Sequence, residues 1–312
     1  MRFLVLGAGA IGGYFGGRMA EAGSDVTFLV RPGRHAQLER DGLVIESPNG
    51  NLRMPVKTVL AESLAGSPRY DVILFTCKAY DLDSATEAIA PAVTDETAIV
   101  PLLNGLAHFE ALDARFGPER VMGGTAQINA TLMPDGTVVN GDPLHRIIFG
   151  ERDRRVSERA KALAAELARA KCESRLSPDI VQDLWEKIVF LCALAAGTCL
   201  FRGNVGEICT APGGREAMLH LLETNAEIAK RAGHAPRAAF LDAVRPRLAD
   251  PTATWSASML RDLESGHRVE ADPIVGWMLE RAREHGVDAA LLSLAFTHLK
   301  TYEARRAAGR IA

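Results

Sequence analysis

A glycine-rich segment near the N-terminus has the spacing needed to hold the phosphates of a dinucleotide. Gly7, Gly9 and Gly12 form a GxGxxG pattern directly after the apolar stretch 2–6, which is typical of a buried parallel strand. In that context the three glycines allow a tight turn, a close approach of the pyrophosphate and packing of the following helix on the strand. This context favours a cofactor site over a glycine-rich turn that binds nothing. The predicted cofactor contacts are Gly7, Ala8, Gly9, Ala10, Ile11 and Gly12.

Two arginines after the next predicted strand indicate which dinucleotide is bound. The strand 26–30 is followed by Arg31 and Arg34, where an NAD-binding unit usually carries an Asp or Glu for the ribose 2′-hydroxyl. A guanidinium binds a 2′-phosphate through paired charge-assisted hydrogen bonds, whereas a carboxylate repels it. We therefore predict NADP (as NADPH) over NAD. The alternative is that both arginines are solvated loop charges.

Three side chains in the second half of the chain have the chemistry to act on a carbonyl beside a nicotinamide. The cofactor supplies the hydride, so the protein must supply an acid for the carbonyl oxygen and an anchor for the substrate. Lys187 precedes the apolar stretch 188–191, and burial would lower its pKa and make it a usable acid. Glu270 could accept from a substrate hydroxyl, and Ser258 could donate to a carboxylate. The ordinary alternatives are a surface lysine, a glutamate that caps a helix and a serine without function.

The elements that must position these groups follow an α/β pattern in the first half of the chain. A helix at about 11–22 and buried strands at 70–77 and 98–102 continue the β-α-β order, and the two strands end at Lys78 and Asn104. Ligands bind at the carboxyl ends of strands in such a sheet, so both residues should face the crevice of the glycine turn. Further helices are predicted at 35–41, 83–93 and 157–170. Short strands that predict an antiparallel ending lie at 43–46, 54–56, 121–124, 126–132, 136–140 and 146–149.

From Ser177 onward the sequence predicts helices. Ser177-Pro178-Asp179 has the residues of a helix start, and the helix 179–200 is apolar enough in its second half to be buried on most sides. The predicted fold is an α/β Rossmann domain over 1–176, with a doubly wound, mostly parallel sheet and an antiparallel ending, followed by an all-α domain over 177–312. The substrate is expected between them. Further helices are predicted at 215–232, 237–248, 256–266, 272–284 and 289–306.

The composition argues against several other classes of protein. The chain has 312 residues and a net charge of −3, without a long block of one sign, so neither nucleic acid nor an anionic membrane is an expected partner. The five cysteines include no CxxC pair, which favours reduced thiols over disulfides or a metal site. Without a signal peptide or an uncharged apolar stretch of membrane-spanning length, we expect a cytoplasmic protein. The apolar stretch 289–296 could be core or the face of a homodimer.

The order of these motifs resembles the ketopantoate reductase (2-dehydropantoate 2-reductase) family over essentially the whole chain. The matching segments are 7–13, 77–81, 103–105, 185–187, 258–262 and Glu270. The resemblance implies a Rossmann domain followed by a helical domain, and reduction of ketopantoate to pantoate by NADPH in pantothenate biosynthesis. The roles that it implies are Lys187 as general acid, Glu270 on the substrate hydroxyl, Ser258 on its carboxylate, Asn104 near nicotinamide and substrate, and Lys78 beside the cofactor.

Two positions depart from the family pattern and predict a different substrate preference. Leu191 and Trp255 stand where the family usually has asparagines that contact the substrate. Losing an amide at a buried hydroxyl costs roughly 1–3 kcal/mol, whereas Leu and Trp suit a bulkier or less polar 2-keto acid. Asn204 could restore one amide. The alternatives are a related NADP-dependent oxidoreductase, acting on another 2-hydroxy acid, an opine-like imine or a polyol phosphate, and a non-catalytic NADP-binding sensor.

Overall fold

The computed structural model describes residues 1–311, which form two compact units. The first unit comprises 1–103 and 108–181, and the second comprises 104–107 and the chain from 182 onward. The strands are β1 (Arg2–Leu6), β2 (Asp25–Leu29), β3 (Leu43–Glu46), β4 (Leu52–Met54), β5 (Lys57–Val59), β6 (Val72–Phe75), β7 (Ala98–Pro101), β8 (Gly123–Leu132), β9 (Val138–Gly150) and β10 (Glu173–Leu176). The helices are α1 (Ala10–Glu21), α2 (Pro32–Asp41), α3 (Leu82–Ile89), α4 (His108–Phe116), α5 (Glu158–Arg169), α6 (Ile180–Phe201), α7 (Val205–Thr210), α8 (Gly214–Arg231), α9 (Ala238–Leu248), α10 (Ser258–Glu264), α11 (Trp277–Glu284) and α12 (Ala290–Ala307).

A parallel sheet of five strands forms the centre of the first unit. Its strand order is β5-β2-β1-β6-β7, and each neighbouring pair runs parallel. Every residue of β6 and β7 is buried, which explains why both strands read as continuous apolar stretches. Because β1 and β6 are parallel neighbours, their carboxyl ends lie side by side. The glycine turn after β1 and the segment after β6 that contains Lys78 therefore leave the sheet at the same end.

The antiparallel ending lies in a second, mixed sheet. Strand β9 pairs with β8 antiparallel and with β3 and β10 parallel, and β3 pairs with β4 antiparallel. Here four predicted strands prove to be two, because 121–132 gives the single strand β8 and 136–149 gives β9. Gly141-Asp142-Pro143, which has turn residues and separates the strands predicted at 136–140 and 146–149, lies instead within β9, at a register shift opposite Ile128 and Ala130. Pro143 lacks a ladder N–H, and the irregularity accommodates it without ending the strand.

The strand predicted at 54–56 was wrong, because the chain divides at Pro55. Strand β4 ends at Met54 and joins the mixed sheet, whereas β5 begins at Lys57 and becomes an edge of the parallel sheet. Proline cannot donate to either ladder, so it marks the point where the chain leaves one sheet for the other. Helices α4 and α7 and strand β10 were not predicted.

Helix α6 is the longest helix of the second unit. It has 22 residues, of which an 18-residue stretch has a mean hydropathy of 1.7, and it is long and apolar enough to cross a membrane by length and composition. Within the protein, 72% of that stretch is buried, as in the core helix of a globular protein. A Cβ at Gly197 would overlap the sulfur of Met218 on α8, so the two helices pack closely there. The confirmed fold class is therefore an α/β unit followed by a helical one.

Candidate active site

The glycine turn has the geometry of an anion-binding loop. Gly7 has φ of +89°, a conformation that favours glycine, and its N–H donates to the carbonyl of Leu29 at 2.8 Å. A Cβ at Gly12 would overlap the Gly7 carbonyl oxygen and the Thr76 hydroxyl, so only glycine allows α1 to pack this closely on the strands. A Cβ at Gly9 would meet no atom of residues 1–311 within 4 Å, chain neighbours apart. That open space lies over the first turn of α1, whose N–H groups can hold a phosphate.

Arg34 brings an unsatisfied guanidinium nitrogen to this turn. Its Nε donates to the carbonyl of Ala8 at 3.1 Å, and its Nη1 donates to Oε1 of Gln37 at 2.6 Å. Its Nη2 is buried and has no hydrogen-bond partner within residues 1–311. Burial also lowers the pKa of the Arg34 guanidinium. A buried donor without a partner beside a phosphate-binding turn fits a cofactor that carries a further phosphate.

Arg31 lies in a different electrostatic setting. Its Nη2 forms an ion pair with Oδ2 of Asp81 at 3.1 Å, and 77% of its side chain is exposed. Asp81 closes the short 3-10 turn Ala79–Asp81, which follows Lys78 at the end of β6. A contact of Arg31 with this acid was not predicted from the sequence, and its negative charge opposes the binding of a 2′-phosphate at Arg31. Of the two predicted arginines, Arg34 is therefore the better placed for an anion.

Lys187 and Glu270 lie within electrostatic reach of each other in the helical unit. Lys187 lies on α6, and its side chain is only partly exposed to solvent. Burial lowers the pKa of Lys187 to about 8, and the Glu270 carboxylate offsets part of that shift by raising it. Glu270 is only 7% exposed and stands just before a π-helical turn, Asp272–Gly276, which leads into α11. Such turns inside helices are frequent at functional sites.

The loop that carries Asn104 contacts the same region. Gly105 has φ of +82°, and a Cβ there would stand 2.6 Å from the carbonyl oxygen of Pro273 in the π-helical turn. The same Cβ would stand 3.9 Å from Cδ1 of Ile188, the residue after Lys187. The structure thus brings the Asn104 loop, the lysine segment of α6 and the segment after Glu270 together within the helical unit.

A charge network with two buried carboxylates, not predicted from the sequence, fixes the segment of α6 before Lys187. The N–H and Nε of Arg237 donate to Oε1 of Glu186 at 2.8 and 2.7 Å, and Nη2 donates to Oδ1 of Asp183 at 2.5 Å. Both carboxylates are nearly buried, and they raise the pKa of Arg237. Two acids three residues apart in an apolar helix were the available signal for a cationic partner. The network ties α6 to the start of α9.

Ser258 and Asn204 lie at the starts of two short helices. Ser258 is the first residue of α10. Asn204 caps α7: its Oδ1 accepts from the N–H of Glu207 at 2.9 Å, and its own N–H donates to Oε2 of Glu207 at 2.8 Å. The next N–H, that of Val205, donates to the carbonyl of Trp255 at 3.2 Å. Capping already accounts for an asparagine at position 204, and its contact with substrate stays a prediction.

The two departures from the family pattern lie beside a further aromatic residue. Phe190 and Leu191 follow Lys187 by about one helical turn, so they flank it on the same side of α6. The Phe190 and Trp255 rings are tilted by 37°, with centroids 6.0 Å apart. The wall next to Lys187 is therefore apolar and aromatic. The sequence analysis singled out Leu191 and Trp255 but missed Phe190.

Metal-ligating clusters and disulfides are not seen in the described part of the chain. Within residues 1–311 no group of three His, Cys, Asp or Glu side chains is placed to hold a metal ion, and none of the five cysteines forms a disulfide. Burial raises the pKa of Cys192 and Cys199 to about 12, so both remain protonated at neutral pH.

Comparison with known families identifies the family to which the chain belongs. The family model described as "Ketopantoate reductase PanE/ApbA" matches residues 3–154, and the model of its C-terminal domain matches residues 179–303. The chain belongs to the ketopantoate reductase family. Membership makes it an oxidoreductase with a nicotinamide cofactor and a small keto-acid substrate, and it confirms the family predicted from the sequence motifs.

Relatives within the ketopantoate reductase family span nearly the whole chain. The uncharacterized oxidoreductase YkpB of Bacillus subtilis is 35% identical over 98% of this chain and 100% of its own length. The 2-dehydropantoate 2-reductase of Archaeoglobus fulgidus is 30% identical over 93% of this chain and 94% of its own.

Solved structures show the same fold. The 2-dehydropantoate 2-reductase of Geobacter metallireducens has a TM-score of 0.87 and 28% identity, and the match covers 96% of this chain and 99% of that one. A D-mandelate dehydrogenase, solved with NADH and anilino(oxo)acetate, also has a TM-score of 0.87. At 19% identity over 98% of this chain and 100% of that one, the second match shows likeness of fold alone.

Proposed function

We propose that this protein reduces a 2-keto acid with NADPH and that Lys187 is the general acid. The observation that carries the proposal is the setting of Lys187, whose pKa is lowered to about 8 and which lies within the electrostatic influence of the buried Glu270. A general acid is most effective when its pKa lies near the operating pH. When bound, NADPH supplies the hydride that adds to the keto carbon.

The proposed roles of the side chains follow the charges of the reaction. Lys187 stabilises the negative charge that develops on the carbonyl oxygen and donates its proton to that oxygen. Glu270 accepts a hydrogen bond from a substrate hydroxyl where the substrate has one. Asn104 contacts nicotinamide and substrate, a role supported by the approach of its loop to Pro273. Ser258 donates to the substrate carboxylate. The side-chain oxygen of Asn204 caps α7, so Asn204 would contact the substrate through its side-chain NH₂ group.

NADPH is the proposed cofactor because of the donors around the glycine turn. The unpartnered Nη2 of Arg34 supports a bound phosphate, and Arg31 and Lys78 add positive charge nearby. The ion pair between Arg31 and Asp81 must break or rearrange before Arg31 can bind the 2′-phosphate. We therefore propose Arg34 as the main contact to the 2′-phosphate.

The proposed substrate is a 2-keto acid that is less polar than ketopantoate. The proposed wall next to Lys187 is apolar and consists of Leu191, Trp255 and Phe190. In the family pattern, asparagines at positions 191 and 255 would bind a substrate hydroxyl. Ketopantoate remains the reference substrate, since 2-dehydropantoate reductases are among the relatives. The absence of an amide at positions 191 and 255 predicts weaker binding of its hydroxyl.

Location and assembly complete the proposal. Cysteines without disulfides suit a reducing compartment such as the cytoplasm. The stretch 289–296, expected to be either core or the face of a homodimer, falls at the start of α12, where the Leu294 side chain is 60% exposed. A dimer through this helix stays a prediction, which a measurement of mass in solution tests.

The decisive experiment is a turnover assay with NADPH and a panel of 2-keto acids, with NADH run alongside. The expected result is turnover of a branched or aromatic 2-keto acid with higher kcat/KM than that of ketopantoate, and with NADPH preferred. A kcat/KM for ketopantoate about tenfold above every other acid would overturn the substrate proposal but leave the reaction type standing. Cofactor binding without turnover of any acid would indicate a sensor.

A further inference from the structure

Arg247 lies over the aromatic wall beside Lys187. It is exposed, stands near the end of α9, and its guanidinium carbon is 5.2 Å from the ring centroid of Phe190 and 5.4 Å from that of Trp255. A cation over an aromatic face is attracted by the ring quadrupole. Two such rings hold the guanidinium in place without using its N–H groups.

The N–H groups of Arg247 are available for a ligand. Within residues 1–311 its guanidinium forms neither a hydrogen bond nor an ion pair with another side chain. Arg237, at the start of the same helix, shows the contrast, since its guanidinium binds two carboxylates. A guanidinium that is held by stacking and keeps its donors free can bind a carboxylate in a bidentate manner.

The two rings under Arg247 connect it to the proposed reaction centre. Phe190 follows Lys187 by about one turn of α6, and Trp255 precedes Ser258, at the start of α10, by three residues. The Ser258 hydroxyl also has no hydrogen-bond partner within residues 1–311. A free hydroxyl and a free guanidinium therefore flank the aromatic wall.

The backbone under Trp255 is fixed. The N–H of Val205 donates to the Trp255 carbonyl at 3.2 Å, and that of Gly206 donates to the Ala253 carbonyl at 2.9 Å. A Cβ at Gly206 would stand 2.5 Å from the Ala253 carbonyl oxygen, so the segment lies directly on the first turn of α7. The ring that supports Arg247 is therefore attached to an ordered segment.

We propose that Arg247, together with Ser258, binds the carboxylate of the 2-keto acid. The inference rests on the proposed function, because a carboxylate is the group that every 2-keto acid carries. The Ser258 hydroxyl cannot neutralise the negative charge of the substrate carboxylate, and the carboxylate of Glu270 repels that charge. A positive group is therefore needed to stabilise the bound substrate. Lys187 is assigned to proton donation, and Arg247 supplies the positive charge.

The first test compares Arg247→Met with Arg245→Met in the turnover assay. Methionine keeps an unbranched apolar side chain over the rings but removes the charge, and Arg245 is an exposed arginine of the same helix that the ring contacts do not involve. For Arg247→Met we expect KM for the 2-keto acid to rise roughly 10- to 100-fold, with a smaller change in kcat. Arg247→Lys should recover part of the loss, and Arg245→Met should behave like the wild type.

The second test separates charge recognition from a merely structural role. The inhibition constants of the 2-hydroxy acid product and of its neutral amide are measured on the same variants. The wild type should bind the acid more tightly, and Arg247→Met should bind both about equally. If both ligands weaken in parallel, or if KM matches that of Arg245→Met, the inference is wrong. If the wild type turns over no 2-keto acid, the proposed function fails and this inference with it.

Discussion

The Lys187 ammonium and the Glu270 carboxylate set a pH range for the proposed reaction. Only protonated Lys187 can donate a proton, so kcat/KM for reduction should fall as the pH rises through about 8, the lowered pKa of this lysine. Oxidation of the 2-hydroxy acid requires neutral Lys187, so its rate should rise over the same interval. Initial rates in both directions across the pH range test this expectation.

The carboxylate of Glu270 sets the position of that pH dependence. Because its charge raises the pKa of Lys187, Glu270→Gln should move the alkaline limb of the reduction profile to lower pH. The profile of a Ser258→Ala variant, which leaves the charge in place, should stay near that of the wild type. A limb that stays fixed, or moves to higher pH, in Glu270→Gln would contradict the coupling.

Removal of Lys187 should act mainly on turnover. Lys187→Ala should lower kcat by about 10²–10⁴-fold, the usual contribution of a general acid, and leave KM and the affinity for NADPH nearly unchanged. Glu270→Ala should lower kcat and also raise KM, because it removes a substrate contact as well. Steady-state kinetics and a cofactor titration measure these constants. Unchanged turnover in Lys187→Ala would end the assignment.

Substitution of Asp81 tests how a single charge affects the preference for NADPH over NADH. Asp81→Asn removes the partner of Arg31 and should raise the preference for NADPH over NADH by roughly 2- to 5-fold, a modest change because this ion pair is exposed. Arg34→Met should lower that preference further than Arg31→Met does, because the unsatisfied nitrogen belongs to Arg34. Dissociation constants for both cofactors decide the order.

The loop of Gly105 and the π-helical turn form a tight contact between two elements of the helical unit. Gly105→Ala would strain a backbone at φ of +82° and press a Cβ against the Pro273 carbonyl. Gly233 offers a matched control, since its φ is +88° and a Cβ there meets no described atom within 4 Å. Backbone strain alone costs about 1–2 kcal/mol of unfolding free energy, which is the loss expected for Gly233→Ala.

The contact should make Gly105→Ala differ from its control in both stability and activity. The overlap displaces the π-helical turn that follows Glu270, so kcat/KM should fall, whereas Gly233→Ala should keep the wild-type value. Chemical denaturation and the turnover assay measure the two effects. Equal behaviour of the two variants would show that the Pro273 contact does not position Glu270.

The same elements show where sequence patterns suffice and where they fail. Strands β1, β6 and β7 were predicted because burial on both faces of a sheet gives an unbroken apolar stretch. The continuous strand β9 was not, because Gly141-Asp142-Pro143 has turn chemistry that long-range pairing with β8 overrides. Helix α7 was missed because its six residues are too few for a periodic signal, although the Asn204 cap was visible.

At the scale of the whole molecule, motifs pointed to the proposed reacting groups but not to the charged groups around them. Lys187 and Glu270 follow from local pattern and family resemblance. Asp81, Arg237 and Arg247 were not predicted, because their importance depends on which distant residues they meet in the fold. Exposed charged residues do not recur with the spacing of a helix or a strand. Their interaction partners can therefore be identified only from the tertiary structure.

The way the chain supports Trp255 has a consequence for protein engineering. The segment around this residue is held by hydrogen bonds between main-chain groups, from Val205 to Trp255 and from Gly206 to Ala253. These bonds do not depend on which side chain occupies position 255. We therefore expect position 255 to accept a library of substitutions on a constant main-chain scaffold, which makes it a site for altering the proposed substrate preference.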